Sequence, residues 1–408
     1  MVYRNAERPS RRRDIIPFYV RQACLHRLAA VLMAVCLSQV AIAAGGQTRL
    51  LRQATVPIVA VRFTPSGGVL AASKDGTVTM WNRDSDRPLW NISFKRPRTK
   101  NEFTQIEIEA MDLSLDGRVV AVAYIRSGQD ENLRNEKAGD PGKQKAAWEP
   151  HLVLIDTADG AIKQDIQQLR NVTFRELILS PDGTSVFITT VPSWIPRNNQ
   201  SPVSMTHVLS METGREVRSF HWQDWIARAV LSPDGKLFAA AVFRVNTVET
   251  RFGELQFYDA GTGQLLRSSK YETTTTSALD FSPDGRLLAL SRAAKDGIRV
   301  DLVPTDGAGQ PARTFTVGQT TEIRAVAFIE SHRIALAGGR LPFVGTGDVG
   351  EPFYKDKGGA VIIVDERTGK KLKSHEFKSF VTCLAISRDG SRMLAGMYDG
   401  QIAITAPQ

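Results

Sequence analysis

The sequence LSPDG stands at Leu179–Gly183 and again, letter for letter, at Leu231–Gly235. Pro presets φ for the second position of a turn, Asp accepts a backbone hydrogen bond two residues on, and Gly adopts the left-handed conformation that ends the turn. One such turn predicts only a hairpin. Apolar runs lead into and out of both copies, however, which indicates that the whole surrounding unit recurs.

Related turns are spread along the rest of the chain and bring the number of copies to seven. The further copies are FTPSGG (Phe63–Gly68), LSLDG (Leu113–Gly117), FSPDG (Phe281–Gly285), a degenerate FIESHR (Phe328–Arg333) and ISRDG (Ile386–Gly390). Their spacing varies between 47 and 66 residues. A constant core unit with variable insertions is typical of a repeat architecture.

The clearest unit, Thr276–Val317, contains four short strand-like runs separated by Gly, Asp and Pro. Runs of this length predict a four-stranded antiparallel meander. At this point the chain resembles the WD40-like β-propeller family, including its bacterial branch with the Ser-Pro-Asp-Gly turn, over Gln47–Gln408. The resemblance implies an all-β fold, a seven-bladed propeller of four-stranded antiparallel blades. The chain departs from the strict family pattern because no unit has the Gly-His pair and Trp-Asp survives only in forms such as Trp81-Asn82.

The two ends of the repeat region complement each other. The seventh unit stops after three strand-like runs, whereas Gln47–Val56 resembles a spare fourth strand. A ring of blades leaves no open sheet edge if its first strand completes its last blade. We therefore predict that the N-terminal strand closes the propeller.

Residues 1–43 have the form of a secretory signal peptide: arginines, an apolar stretch from Leu28 to Ala44, and Ala41-Ile42-Ala43 as a cleavage site. We expect a propeller over residues 44–408, a periplasmic or secreted location, and no membrane span after cleavage. A retained anchor is the alternative. Arg12–Ile16 weakly resembles a twin-arginine signal, and general secretion is favoured because the apolar stretch begins well downstream.

The formal net charge is +9. The leader contributes +5 of this, from seven arginines and two acids, and leaves +4 on the remaining chain. The basic excess therefore gives no argument for a nucleic-acid partner. Cys383 is the one cysteine outside the leader, and we interpret it as a buried core thiol.

The sequence contains no recognisable catalytic motif, so no catalytic residue, metal site or cofactor is predicted. A strand-end or surface position is the default for the histidines, with a ligand role as the alternative; they are His151, His207, His221, His332 and His375. The innermost strands read as overwhelmingly apolar, and no cluster of carboxylates, His or Arg is visible that would converge on a central channel.

Length variation is concentrated in the connections after the second and fourth strands, which share one face of a propeller. We call this the loop-bearing face. The long second-to-third connections are Arg126–Glu149, Val191–Pro202, Val245–Gly253 and Arg340–Gly359. Aromatic residues in these connections are predicted to bind a partner, because aromatics supply much of the energy of contact surfaces. They are Trp148, Trp194, Trp222, Trp225, Phe343, Phe353 and Tyr354. The alternative is that they fold back and cap the blades.

These observations predict an exported propeller that acts as a protein-binding or assembly scaffold through its loop-bearing face. The alternative is a propeller enzyme of the lactonase or quinoprotein kind with its site at the central channel. Fold alone does not choose between them. The sequence indicates no particular oligomeric state.

Overall fold

A computed structural model describes most of the repeat region. The described residues are 41–43, 46–95, 102–130, 147–169, 172–192, 204–222, 225–245, 251–271, 276–294, 297–307, 311–317, 322–330, 332–340, 343–346, 352–354 and 356–407. The chain divides into two units, Met1–Gln39 and Val40–Gln408. The first lies outside the described residues, so the predicted boundary between 43 and 44 stays a prediction.

The described strands form seven antiparallel blades, as predicted: six four-stranded sheets and one five-stranded sheet. The first strands of successive blades contact each other all the way round, so the blades form a closed ring about a central channel. These innermost strands are β3 (Ile58–Phe63), β7 (Glu102–Leu113), β11 (Val172–Leu179), β15 (Trp225–Leu231), β19 (Thr276–Phe281), β23 (Glu322–Ile329) and β29 (Val381–Ile386).

The other strands follow outward in each blade. The second strands are β4 (Val69–Ser73), β8 (Val119–Asp130), β12 (Ser185–Pro192), β16 (Leu237–Val245), β20 (Leu287–Ala294), β24 (Arg333–Gly339) and β30 (Met393–Met397). The third strands are β5 (Thr77–Trp81), β9 (Ala147–Asp156), β13 (Met205–Ser210), β17 (Arg251–Asp259), β21 (Gly297–Pro304), β27 (Gly359–Asp365) and β31 (Gln401–Thr405). The outer strands are β6 (Pro88–Ser93), β10 (Ile162–Ile166), β14 (Glu216–His221), β18 (Leu265–Tyr271), β22 (Arg313–Val317), β28 (Lys371–Phe377) and β2 (Gly46–Arg52). Three short strands are additional: β1 (Ala41–Ala43) pairs with β2, and β25 (Phe343–Thr346) pairs with β26 (Pro352–Tyr354).

The recurring Ser-x-Asp-Gly segment is the turn between the first and second strands. At Ser180 the hydroxyl donates to Asp182 Oδ1 at 2.6 Å and accepts the N–H of Ser185 at 2.9 Å. The same Asp182 oxygen accepts the N–H of Thr184 at 3.0 Å. Equivalent serine–aspartate bonds of 2.6–2.7 Å occur in four other blades, at Ser114, Ser232, Ser282 and Ser387. The sequence repeats because five of the seven blades use the same side-chain network to hold their first hairpin.

The left-handed position of this turn confirms the degenerate sixth copy. It is glycine in the other six blades, including Gly67 of the first and Gly183 at φ 71°. In the sixth blade His332 takes the position at φ 58°, the one residue other than glycine with positive φ in the described part of the chain.

The N-terminal strand closes the ring, as the sequence predicts. β2 pairs antiparallel with β31, with Arg49 opposite Ile404 and Leu51 opposite Ile402. Leu51 is 3% exposed and packs in a core cluster with Trp81 of the first blade. The last blade is therefore built from both ends of the chain.

One predicted insertion is shorter than expected. Arg126–Glu149 begins inside β8 and ends inside β9, because these two strands extend well past the second-strand length seen in the first blade. Arg126 Nε donates to Glu149 Oε2 at 2.6 Å across the pair. The middle of the insertion, residues 131–146, lies outside the described residues.

We predict that losing the closing strand destabilises the entire ring. Deleting the chain through Val56 should leave β31 as an open edge and cause aggregation. Leu51→Ala should lower the free energy of unfolding by about 2–5 kcal/mol. Leu266→Ala, on outer strand β18 where the side chain is 50% exposed, is the control and should change it by less than about 0.5 kcal/mol. Denaturant unfolding measures both, and equal effects would contradict the closure.

A second prediction concerns the left-handed turn position. A β-carbon added at Gly183 meets no atom within 4 Å, so Gly183→Ala should show the backbone strain alone, roughly 1 kcal/mol. His332→Gly should stabilise the protein by a similar amount, since it relieves the same strain. Thermal unfolding measures both changes. Loss of stability in His332→Gly would show that the His332 side chain outweighs its backbone strain.

Candidate functional site

Every innermost strand carries a β-bulge four residues before the apolar residue that starts its turn. The register shifts after Ile58, Ile108, Phe174, Ile226, Thr276, Ile323 and Val381. A bulge leaves one residue unpaired and redirects its side chain. The seven unpaired residues, which we call the bulge ring, are Val59, Glu109, Arg175, Ala227, Ser277, Arg324 and Thr382.

All seven residues of the bulge ring reach solvent, and Arg175 and Arg324 are exposed. The residue before the bulge is buried in six blades, as shown by Ile58, Ile226 and Ile323 at 0% exposure. Because the bulges all lie four residues before the turn end of the first strands, the ring lies toward the end of the channel where the fourth-to-first connections enter. This part of the channel is polar and charged, which corrects the expectation of overwhelmingly apolar innermost strands.

Deeper charged side chains link neighbouring blades around the channel. Arg62 Nε donates to Asp112 Oδ1 at 2.8 Å, joining the first and second blades. Asp112 Oδ2 accepts the N–H of Leu179 at 2.9 Å, joining the second and third. Further links run from Phe174 N–H to Glu109 at 2.6 Å, from Arg228 Nε to the Ser277 carbonyl at 3.0 Å, and from Thr382 Oγ1 to the Ile58 carbonyl at 2.6 Å. These contacts hold the inner strands together.

Two channel carboxyl groups titrate near neutral pH. Burial raises the pKa of Glu109 to about 7, although the Phe174 N–H and the charge of Arg175 oppose the shift. Burial also raises the pKa of Asp280 to about 7, against hydrogen bonds from the N–H groups of Phe328 and Phe281 and the charge of Arg62. The charge of Arg62 in the first blade thus acts on a carboxyl group of the fifth blade.

Glu176 and Arg228 form a further pair, with Glu176 Oε1 lying 3.6 Å from Arg228 Nη1. Burial raises the pKa of Glu176, and the charge of Arg228 opposes the shift. The sequence did not reveal this cluster because its charged members are spread over the innermost strands of five separate units. The available signal was Arg62, Asp112 and Asp280, which each stand directly before the apolar residue of a turn.

The structure separates the predicted contact aromatics. Trp222 is 2% exposed, packs between Phe238 and Tyr258, and donates from Nε1 to Thr206 Oγ1 at 3.0 Å. It caps its blade, which is the alternative that the sequence left open. Trp225 starts innermost strand β15 and remains partly accessible. Trp194 and the side chains of Trp148, Phe343, Phe353 and Tyr354 lie outside the described residues.

Two of the histidines are buried beside carboxylates on the outer strand of the same blade. His151 Nδ1 lies 3.0 Å from Asp165 Oδ1, and His207 Nδ1 lies 2.6 Å from Glu216 Oε2. Within the described ranges, no group of three His, Cys, Asp or Glu side chains is arranged to hold a metal ion. Cys383 is half-buried in β29, and burial raises the pKa of its thiol to about 11. None of the described segments is a helix with the length and apolar character needed to cross a bilayer.

The raised pKa of Asp280 predicts a pH dependence of stability. Between its ordinary pKa near 3.8 and its folded pKa of about 7, the folded state binds more protons than the unfolded state. Asp280 therefore stabilises the fold at low pH and loses that contribution as pH rises through about 7. Asp280→Asn should remove this contribution to the pH dependence of the unfolding free energy, which amounts to on the order of a few kcal/mol.

The control is Asp284→Asn, at the turn that follows Asp280 in the same hairpin. Hydrogen bonds from Ser282 and the Arg286 N–H lower the pKa of Asp284, so its stabilisation is present at neutral pH and is lost in acid. Denaturant unfolding between about pH 2 and 8 measures how the unfolding free energy of wild type and both variants depends on pH. An altered dependence around pH 7 in Asp284→Asn, or an unaltered one there in Asp280→Asn, would contradict the assignment.

Two segments match the WD40 family model, described as WD domain, G-beta repeat, over residues 45–82 and 367–404. The first spans β2 to β5 and the second spans β28 into β31. Each match therefore joins the fourth strand of one blade to the first three of the next, which is one sequence repeat out of phase with the blade. No curated protein matches the sequence significantly. The chain is thus a seven-bladed β-propeller in which two repeats match the WD40 family model.

Proposed function

We propose that the protein is a binding or assembly scaffold that engages a protein partner at its loop-bearing face. WD40 propellers typically serve as protein-interaction scaffolds. The observation that supports the proposal for this chain is the bulge ring, whose accessible side chains border the channel at the end where the fourth-to-first connections enter. Trp225 and the exposed Arg175 lie there together, and Trp and Arg are the residue types that dominate binding energy at interfaces.

The opposite face supplies the contrast. Its first-to-second turns are held by their own serine–aspartate networks, so their polar groups are already satisfied. Residues there such as Arg286, whose side chain is 87% exposed and lies 4.0 Å from the Asp284 carboxylate, pair within their own turn.

We further propose that the scaffold acts outside the cytoplasm, because residues 1–43 have the form of a cleaved leader. The predicted cleavage point lies two residues before the closing strand β2, which starts at Gly46. Processing there would remove β1 and leave the ring closure in place.

A channel enzyme of the lactonase or quinoprotein kind is the second candidate. The observation in its favour is that Glu109 and Asp280 titrate near pH 7, the range that suits a general acid or base. Both carboxylates, however, accept backbone N–H groups of the next blade. These hydrogen bonds between blades explain why the two carboxylates are present, and no catalytic role is needed to explain them.

The scaffold proposal is tested by affinity capture from the periplasm of the native host, using exported protein whose intact mass also reports whether it starts near Ala44. Trp194→Ala, Phe353→Ala and Trp225→Ala should weaken capture, because truncating a central aromatic typically costs about 2 kcal/mol or more of binding. Trp194→Ala and Phe353→Ala should leave the melting temperature nearly unchanged.

Two variants serve as controls. Arg286→Gln should leave capture intact, because Arg286 lies on the opposite face. Trp222→Ala should lower stability by about 3–5 kcal/mol, because it empties a buried site. If the Trp194 and Phe353 variants lose stability and keep full capture, those aromatics are blade caps and the loop-bearing face is not the binding surface.

A further inference from the structure

Arg175 and Trp225 form a preorganised pair at the mouth of the channel. Arg175 is the bulge residue of β11 in the third blade, and Trp225 is the first residue of β15 in the fourth. The guanidinium carbon of Arg175 lies over the indole ring of Trp225, 5.1 Å from its centroid. This is within the range of a cation–π contact, which fixes the guanidinium while leaving the N–H donors at its edge free.

The charges around Arg175 leave it under-neutralised. Glu109, on β7 of the preceding blade, is the carboxyl group that raises its pKa most, but Glu109 already accepts the Phe174 N–H at 2.6 Å. Burial and the charge of Arg228 lower the pKa of Arg175, and Glu176, which also opposes them, lies 3.6 Å from Arg228. Among the contacts of the described residues, Arg175 has no salt bridge within 4 Å.

The other arginines of the inner strands differ in this respect. Arg62 is bonded to Asp112 at 2.8 Å, Arg228 donates to the Ser277 carbonyl at 3.0 Å, and Arg324 lies 2.5 Å from Glu322. Each is committed to a neighbour on its own or the next blade. Among these four arginines, Arg175 alone combines exposure, stacking on an aromatic ring and guanidinium N–H groups that have no acceptor among the described residues.

We propose that Arg175, held on Trp225, anchors a carboxylate of an acidic segment of a protein partner at the mouth of the channel. This inference rests on the proposed scaffold function and specifies that the partner segment is acidic. A guanidinium edge matches a carboxylate with two parallel N–H···O bonds. A cationic or purely apolar partner segment would cover Arg175 without supplying a counter-ion, and burying an unpaired charge is unfavourable.

The test uses a fluorescently labelled hexaglutamate peptide with blocked ends, and hexaglutamine and hexalysine peptides of the same design. Fluorescence anisotropy with the folded wild-type protein at low ionic strength should show hexaglutamate binding in preference to the other two. Arg175→Gln should weaken hexaglutamate binding about tenfold, the effect of losing one charge-assisted pair. Arg175→Lys should recover only part of it, because an ammonium does not make the bidentate contact.

Arg286→Gln is the matched control, because it removes one exposed positive charge from the opposite face. Its hexaglutamate affinity should equal that of the wild type. Equal losses in the Arg175 and Arg286 variants would show general charge attraction and overturn the proposal, as would preferential binding of hexalysine. Melting temperatures within a few degrees of wild type establish that the variants are folded.

Partner capture separates this inference from the function on which it rests. If a captured partner is retained by Arg175→Gln and lost by Trp194→Ala, the scaffold function stands and the acidic anchor is overturned. If hexaglutamate binding depends on Arg175 but no protein is captured, the carboxylate site stands and the scaffold function fails.

Discussion

The serine hydroxyl of each Ser-x-Asp-Gly turn fixes where the first two strands of a blade reverse. It donates to the aspartate of the turn and accepts the N–H five residues on, as Ser180 does with Asp182 and Ser185. The hairpin therefore has one length in five of the blades, and the bulge falls at the same distance before the turn in all seven. In those five blades, the local bond holds the turn at a fixed distance from the accessible side chain of the bulge.

The sequence could predict the parts of the fold that depend on local turn chemistry and on the number of strands in each unit. The turns, the four strands of a unit and the spare strand, expected at Gln47–Val56 and observed as β2 at Gly46–Arg52, all follow from residues close together in the chain. Even His332 was found, because the pattern required a turn at its place. The channel was beyond reach for the opposite reason: Arg62 and Asp280 influence each other only because the ring closes. In the sequence each is a single charged residue in its strand.

Two tryptophans three positions apart also show that the sequence alone does not predict which side chains are buried. Trp222 and Trp225 are both in or beside one connection, yet one indole is buried against Phe238 and the other lies under a guanidinium. The difference depends on Thr206 in a neighbouring strand, whose hydroxyl accepts the Trp222 N–H. A connection can thus contribute one side chain to the blade and the next to the surface. The composition of the connection does not distinguish the two roles.

The pairing of β2 with β31 joins residues at the two ends of the chain, such as Arg49 and Ile404. Linear arrays of repeats have end units from which unfolding can start and spread. This ring has no such end, because every blade has two neighbours once the pairing forms. Contacts so distant in sequence form slowly. Once these contacts have formed, the lifetime of the native state is set by the free-energy barrier to opening the ring. We therefore expect the protein to unfold more slowly than the strength of any single blade interface would suggest.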